Sequence, residues 1–175
     1  MRHPRLAALV VLTAILSAST ASAQGANVGA WEIGTDAQVT LGLDDPMFLA
    51  VQIPGGMVRA GYFTSPTVSI EPLFRWLSVA QKEQEGFSSY TIGVGVLFHR
   101  SADRTRRQVY LRPFLTLTDG SGGGSGVMTI GGGLGLKRPF FGGRATSRGE
   151  VNVSYNEASE ALSLNGLFGL SIYSK

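Results

Sequence analysis

From Trp31 to Leu43 the chain alternates. Trp31, Ile33, Thr35, Ala37, Val39, Leu41 and Leu43 fall on one parity, and Glu32, Gly34, Asp36, Gln38, Thr40 and Gly42 on the other. Successive strand side chains point to opposite faces, so this period of two predicts a strand with one apolar and one polar face. The pattern recurs along the chain. Thr67 to Ala80 sets Val68, Ile70, Phe74 and Trp76 against Ser69, Glu71 and Arg75, and Ser88 to His99 sets Tyr90, Ile92, Val94, Val96 and Phe98 against Ser89, Thr91, Gly93, Gly95 and His99. Gln108 to Thr118 places Val109, Leu111, Leu115 and Leu117 opposite Tyr110, Arg112, Phe114 and Thr116. In Val127 to Lys137, Met128, Ile130, Leu134 and Leu136 oppose three glycines. Val151, Val153 and Tyr155 oppose Arg148, Glu150, Asn152 and Ser154, and the last segment, Ala161 to Tyr173, shows Leu162, Leu164, Phe168, Leu170 and Ile172 on one face.

Between Met47 and Phe63 the alternation changes phase across Pro54-Gly55-Gly56, which reads as one strand with a bulge or bend, or as two short strands. Counted once, it brings the total to eight strands. The connections are short and rich in turn formers, at Asp44-Asp45-Pro46, Thr64-Ser65-Pro66, Gln84-Glu85-Gly86, Gly120 to Gly126 and Gly142-Gly143, with Arg100 to Arg107 the longest. Leu77 to Glu85 has the length of a short helix but neither cap nor apolar stripe. The prediction is an all-β fold, an eight-stranded antiparallel up-and-down barrel, because closure removes exposed strand edges.

Such a barrel can face either way. A soluble lipocalin-like carrier lines its cavity with the apolar face, whereas a transmembrane barrel turns that face to lipid. Here the polar face holds Gly34, Gly42, Gly61, Gly93, Gly95, Gly131, Gly133, Gly135 and Gly169, small residues that a narrow lumen needs beside long side chains. Its charges nearly cancel: Glu32, Asp36, Glu71 and Glu150 stand against Arg59, Arg75, Arg112, Lys137 and Arg148, as a confined interior demands. The transmembrane orientation is therefore favoured, with those nine residues forming a lumen charge network and Val39, Ile70, Val94, Leu115 and Leu170 facing lipid. Trp31, Tyr62, Phe98, Tyr155 and Phe168 supply material for an aromatic girdle.

Export is predicted from the N-terminus. Arg2, His3 and Arg5 precede an apolar run from Leu6 to Ala18, and Ala21-Ser22-Ala23 forms a cleavage site before Gln24, so residues 1–23 read as a signal peptide and 24–175 as the barrel domain. Of the 175 residues, 24 are Gly and none is Cys, which excludes a disulfide scaffold and a Cys-ligated metal site. Losing Arg2 and Arg5 lowers the formal charge of +3 to +1, and no basic stripe with interleaved aromatics appears, so nucleic acid is excluded as a partner.

With a signal peptide, eight alternating strands, a Gly-rich polar face and a strand at the very C-terminus, the sequence resembles the small outer-membrane β-barrel proteins, of which the OmpA transmembrane domain is the familiar case. The strings Trp31-Glu32-Ile33-Gly34, Arg59-Ala60-Gly61-Tyr62-Phe63 and Ser69-Ile70-Glu71-Pro72 resemble members of the outer-membrane-protein β-barrel domain group. The resemblance implies the outer membrane of a Gram-negative-type bacterium, with membrane lipids, lipopolysaccharide and the barrel-insertion machinery as partners. Two departures stand out. The chain ends Ile172-Tyr173-Ser174-Lys175 rather than on an aromatic residue, and no peptidoglycan-binding domain follows the barrel.

With the N-terminus in the periplasm, the connections sort by charge. Asp44, Asp45, Lys82, Glu83, Glu85, Asp119, Glu157 and Glu160 lie outside, net −6, and Arg100, Asp103, Arg104, Arg106, Arg107, Arg138, Arg144 and Lys175 lie inside, net +6. They read either as solvated turns or as contacts, the basic set to anionic headgroups or peptidoglycan and the acidic set to lipopolysaccharide. No catalytic residue, cofactor or metal site is expected. His99 is the one histidine after residue 23, and Gly131-Gly132-Gly133-Leu134-Gly135 lies within an alternating strand rather than between a strand and a helix. The predicted role is structural or envelope-interacting, with a filled lumen. A narrow channel for small polar solutes and a soluble carrier of an apolar ligand are the alternatives.

Overall fold

The computed structural model describes residues 28–44, 47–52, 57–81, 84–120 and 126–174, excluding the side chains of 78–87; the proposed signal peptide lies outside them. The chain is built from strands β1 (Trp31–Gly42), β2 (Phe48–Gln52), β3 (Met57–Ser65), β4 (Val68–Gln81), β5 (Gln84–His99), β6 (Gln108–Gly120), β7 (Val127–Phe140), β8 (Ala145–Asn156) and β9 (Ala161–Tyr173). Every pairing is antiparallel, in the order β2-β1-β3-β4-β5-β6-β7-β8-β9, and β1 pairs with β9 from Glu32↔Tyr173 to Gly42↔Ser163, which closes the sheet on itself. Closure gives every strand but β2 at least two partners, β2 pairing with β1 alone.

β2 and β3 share one place in the ring. β2 pairs with the upper half of β1 (Gln38↔Gln52 to Gly42↔Phe48) and β3 with its lower half (Trp31↔Tyr62 to Thr35↔Val58). The ring thus has eight places. Two residues of β1, Asp36 and Ala37, stand opposite five residues, 53–57, so the partner carries three extra. An odd insertion exchanges inward and outward parity. That accounts for the phase change: Leu49 and Val51 point outward before it, and Val58, Ala60 and Tyr62 after it. Residues 53–56, with the Pro-Gly-Gly, lie outside the described residues.

One turn departs from the sequence reading. β4 and β5 pair as far as Gln81↔Gln84, so the segment Gln84-Glu85-Gly86 belongs to a strand. The stretch from Leu77, with the length of a short helix, is strand as well, because Trp76↔Tyr90 and Leu77↔Ser89 continue the ladder and satisfy its backbone groups. At the other end Gly142 and Gly143 turn the chain between β7 and β8 with φ of 64° and 82°, a region that disfavours residues with a Cβ.

The apolar parity forms the outer wall. Leu134 and Phe168 are each 62% exposed, whereas Arg59 and Arg148 on the inner parity are 2% and 1% exposed. Trp31 and Tyr62, with ring centroids 4.9 Å apart, lie near the end where β1 starts and β9 finishes, called the terminal end, and Trp76, Tyr90 and Tyr155 near the other, the loop end. Phe168 instead sits at mid-wall, opposite Ala37 and Gly149. The inner parity also takes some apolar residues: Phe63 and Leu97 are fully buried, and Leu167 nearly so.

Inward glycines make room for their neighbours. A Cβ on Gly135 would overlap the Tyr110 ring, and one on Gly169 the Asp36 carboxylate. Gly135→Ala should therefore cost about 1–3 kcal/mol through overpacking, and much less in a Tyr110→Ala background, where the space is free. Urea unfolding of the four proteins in a double-mutant cycle measures this; equal costs in both backgrounds would refute the steric account.

Candidate functional site

Six strands aim ionisable side chains at the same stretch of lumen: Glu32 and Asp36 from β1, Arg59 from β3, Glu71 from β4, Arg112 from β6, Lys137 from β7, and Arg148 and Glu150 from β8. All eight are buried. Their even spacing in sequence puts Glu32 and Asp36, or Arg148 and Glu150, on one face of their strands, and closure brings the faces together. Arg59 lies at the centre of one half. Its Nε donates to Asp36 Oδ2 at 2.9 Å, its Nη1 to Glu32 Oε1 at 3.0 Å and Glu71 Oε2 at 3.1 Å, and its Nη2 to Ser171 Oγ at 2.5 Å. Lys137 Nζ donates to Glu32 Oε2 at 2.5 Å.

Arg148 joins this half to the next. Its Nη1 donates to Glu71 Oε2 and its Nη2 to Glu150 Oε2, each at 2.7 Å. Arg112 forks onto Glu150 Oε1 through Nε at 3.0 Å and Nη2 at 2.7 Å, and stands 3.8 Å from Glu71. Glu150 also accepts from the Tyr110 hydroxyl at 2.9 Å and from Asn152 Nδ2 at 3.1 Å. Four carboxylates thus meet four cations, and the set is neutral. Lys137 and Arg148 additionally lie 5.6 and 5.2 Å from the centroid of the Tyr110 ring, within cation–π range.

Arg75 stands outside this set. The sequence places it on the same face as Glu71, four residues on, but that displacement carries it towards the loop end, away from Glu32 and Arg112. Its guanidinium donates to Gln52 Oε1 and Thr91 Oγ1, both at 3.2 Å, and both acceptors are neutral. A second polar layer was harder to foresee: Asn165 Nδ2 donates to Asn152 Oδ1 and Ser154 Oγ, and its Oδ1 accepts from Gln38 and Thr40. Ser171 and Asn165 lie on the inward parity of β9, so the signal was present in the alternation, although neither is charged.

His99 lies near the terminal end. Its ring stacks on Phe63 with centroids 5.3 Å apart, and Nε2 is 3.1 Å from Ser69 Oγ. Nδ1 is buried without a hydrogen-bond partner, so no acid orients the ring as a Ser-His-acid arrangement requires. Among the described residues, no three His, Asp or Glu side chains converge as a metal ion would need. Arg104 closes this end with its guanidinium 5.0 Å from the Tyr173 centroid and 5.7 Å from that of Phe63.

Solved structures share this architecture. The Neisserial surface protein NspA matches with a TM-score of 0.59 at 15% identity, over 82% of this chain and 98% of its own. The N-terminal β-barrel domain of Pseudomonas aeruginosa OprF matches at 0.58 and 13%, over 86% and 100%. Ail, the attachment invasion locus protein of Yersinia pestis, matches at 0.53 and 13%, over 84% and 99%. The chain has the fold of the small outer-membrane β-barrels. No family model matches the sequence, and no curated protein does.

On the wall of the barrel the five residues expected to face lipid, Val39, Ile70, Val94, Leu115 and Leu170, are all exposed. Ala37, Gly149 and Gly166 leave a shallow, largely apolar groove on that wall, flanked by Leu134, Val151 and Phe168. Of the charged connections, Asp44, Asp119, Glu157 and Glu160 lie at the loop end, and Arg100, Asp103, Arg104, Arg106, Arg107, Arg138 and Arg144 at the terminal end. Asp45, Lys82, Glu83 and Lys175 fall outside the described residues, as does the side chain of Glu85. In the Arg100–Arg107 connection, Asp103 accepts from the Thr105 hydroxyl at 2.6 Å and its backbone N–H at 2.9 Å, which holds the carboxyl below its ordinary range.

The two kinds of arginine should behave differently on removal. Arg148→Met takes one cation from both Glu71 and Glu150, leaves the buried set one positive charge short and should cost the barrel about 3–5 kcal/mol. Arg75→Met removes only bonds to neutral acceptors and should cost no more than about 1 kcal/mol. Urea unfolding followed by tryptophan fluorescence compares them, and equal costs would mean that Arg75 is electrostatically part of the network after all.

Proposed function

We propose that the protein is an outer-membrane barrel with a structural or envelope-interaction role, exported on residues 1–23, its lumen plugged by the charged network and without catalytic activity. The observation that carries this reading is the inversion of polarity. A closed ring turns Val39, Ile70, Val94, Leu115 and Leu170 outward and packs four carboxylates against four cations inward. In water such a wall would be a large exposed apolar surface; in lipid it is the surface the solvent requires. Strands of 12 to 16 residues in β1 and β4 to β9 exceed the roughly 9–11 needed to cross a bilayer at a tilt.

In this reading the terminal end lies in the periplasm, where Arg100, Arg106, Arg107, Arg138 and Arg144 meet anionic headgroups or peptidoglycan. The loop end faces the lipopolysaccharide surface with Asp44, Glu157 and Glu160, whose charge divalent cations bridge. A channel needs a continuous wet path. Between the two ends stand Phe63, Leu97 and Tyr110 as well as the ion network, all buried.

Reconstitution tests the membrane reading directly. Leu115→Arg or Val94→Arg, at mid-wall, should lower stability in phospholipid vesicles by about 2–4 kcal/mol, and a fluorophore at either site should be quenched by lipid-soluble quenchers. A label that is shielded from those quenchers would refute it. Planar-bilayer recordings test the plug: the unmutated protein should give no steady conductance, and a well-resolved open level would replace the plug with a pore.

A further inference from the structure

Between the ion network and the loop end, the lumen holds a cavity of about 340 Å³. Its wall is rich in hydroxyls and amides, Thr91, Thr118, Thr129, Ser154 and Asn165 among them, and Arg112 and Arg75 also reach it. No carboxylate lines it among the described residues. Arg112 is already engaged by Glu150. Among the described residues Arg75 is engaged by no acid: it is half-buried, belongs to none of the ion pairs and bonds only to Gln52 and Thr91. A guanidinium withdrawn from water and given only neutral acceptors lacks the counter-charge that such burial ordinarily requires. The other four lumen cations have theirs.

We propose that this cup is a binding site for a small anionic sugar, a sugar phosphate or sugar acid, anchored on the Arg75 guanidinium. The planar fork of Arg75 suits an oxyanion, which can accept two parallel N–H bonds. Hydroxyl and amide side chains donate and accept alike, as the hydroxyls of a sugar require. The volume falls within the range of small-ligand sites, about 300–1,000 Å³, and a bare phosphate would leave most of it empty. The described acidic residues at the loop end, Asp44, Asp119, Glu157 and Glu160, do not line the cavity, and the contact at Arg75 is a hydrogen bond. The source is either a free solute or the phosphorylated sugars of a neighbouring lipopolysaccharide.

The inference concerns the inside of the barrel and does not depend on its location. Glucose 6-phosphate, galacturonate, glucose and inorganic phosphate are titrated calorimetrically into the full chain in detergent, with circular dichroism reporting the β-fold separately. Glucose 6-phosphate or galacturonate should bind saturably, at least about tenfold tighter than glucose or phosphate. Arg75→Gln should erase that preference, about a tenfold loss, and Arg106→Gln at the terminal end should not. Should Arg75→Gln fail to fold, Arg75→Lys replaces it, retaining the charge without the fork and hence a weakened preference. Absence of saturable binding by both anionic sugars, or binding that Arg75 variants leave unchanged, overturns the proposal. Vesicles with and without lipopolysaccharide separate the sources. Competition confined to the lipopolysaccharide vesicles makes the tethered sugar the occupant, and equal affinity in both makes it a free solute.

Discussion

Charges enclosed in a ring of eight strands must neutralise one another, and the inside of this barrel is arranged around that requirement. A carboxylate or guanidinium taken out of water costs several kcal/mol unless its partners replace the lost hydration. Here three of the four carboxylates are each shared by two or more cations, and Asp36 rests on Arg59 alone. Glu71 is shared between Arg59 and Arg148, Glu150 between Arg148 and Arg112, and Glu32 between Arg59 and Lys137. Because these pairs join β1, β3, β4, β6, β7 and β8, the network ties together strands that share no ladder.

The same confinement governs where glycine appears. Long side chains can lie across the lumen only if the residues beneath them are small. The inner parity of β7 includes Gly131, Gly133 and Gly135, and over those positions lie Phe114, Glu150 and Tyr110. On β9 Gly169 clears the Asp36 carboxylate, and on β5 Gly95 passes beside Arg112. In a strand open to water these glycines would weaken the sheet without return. Inside the ring they set the depth at which each charged group can meet its partner.

Strand parity was therefore legible at once, since each alternating segment announces which residues look inward, and closure follows from eight strands on short connections whose edges it removes. What parity does not carry is height. Arg75 and Glu71 have the same parity, yet an offset of four residues, about 13 Å along a strand, separates a buried ion network from a half-empty cup. Nor does parity survive an insertion whose length is unknown. The odd three-residue excess opposite Asp36 and Ala37 exchanges the faces of β2 and β3, and the sequence showed only that a phase change occurred near Pro54. Leu97, Phe63 and Leu167 were hidden for the opposite reason: they are apolar residues on a face whose neighbours are polar, filling space rather than pairing charge.

Dividing the lumen by height also divides its tasks. In the half nearer the termini each ionic group has an opposite partner, although Asp36 Oδ1, Arg148 Nε and His99 Nδ1 are buried without a hydrogen bond, and this cross-ring pairing holds the ring closed. The half nearer the loops is lined by neutral hydrogen-bonding groups that stabilise one another weakly and can be substituted without stranding a charge. A barrel stabilised from one end can tolerate an unfilled chamber at the other, as the network below already supplies the cross-ring contacts that a uniformly packed lumen would spread along its length. Arg75 marks the border between the halves. It is the one lumen cation whose charge the network does not need, and for that reason the one that can be directed at something the chain itself does not contain.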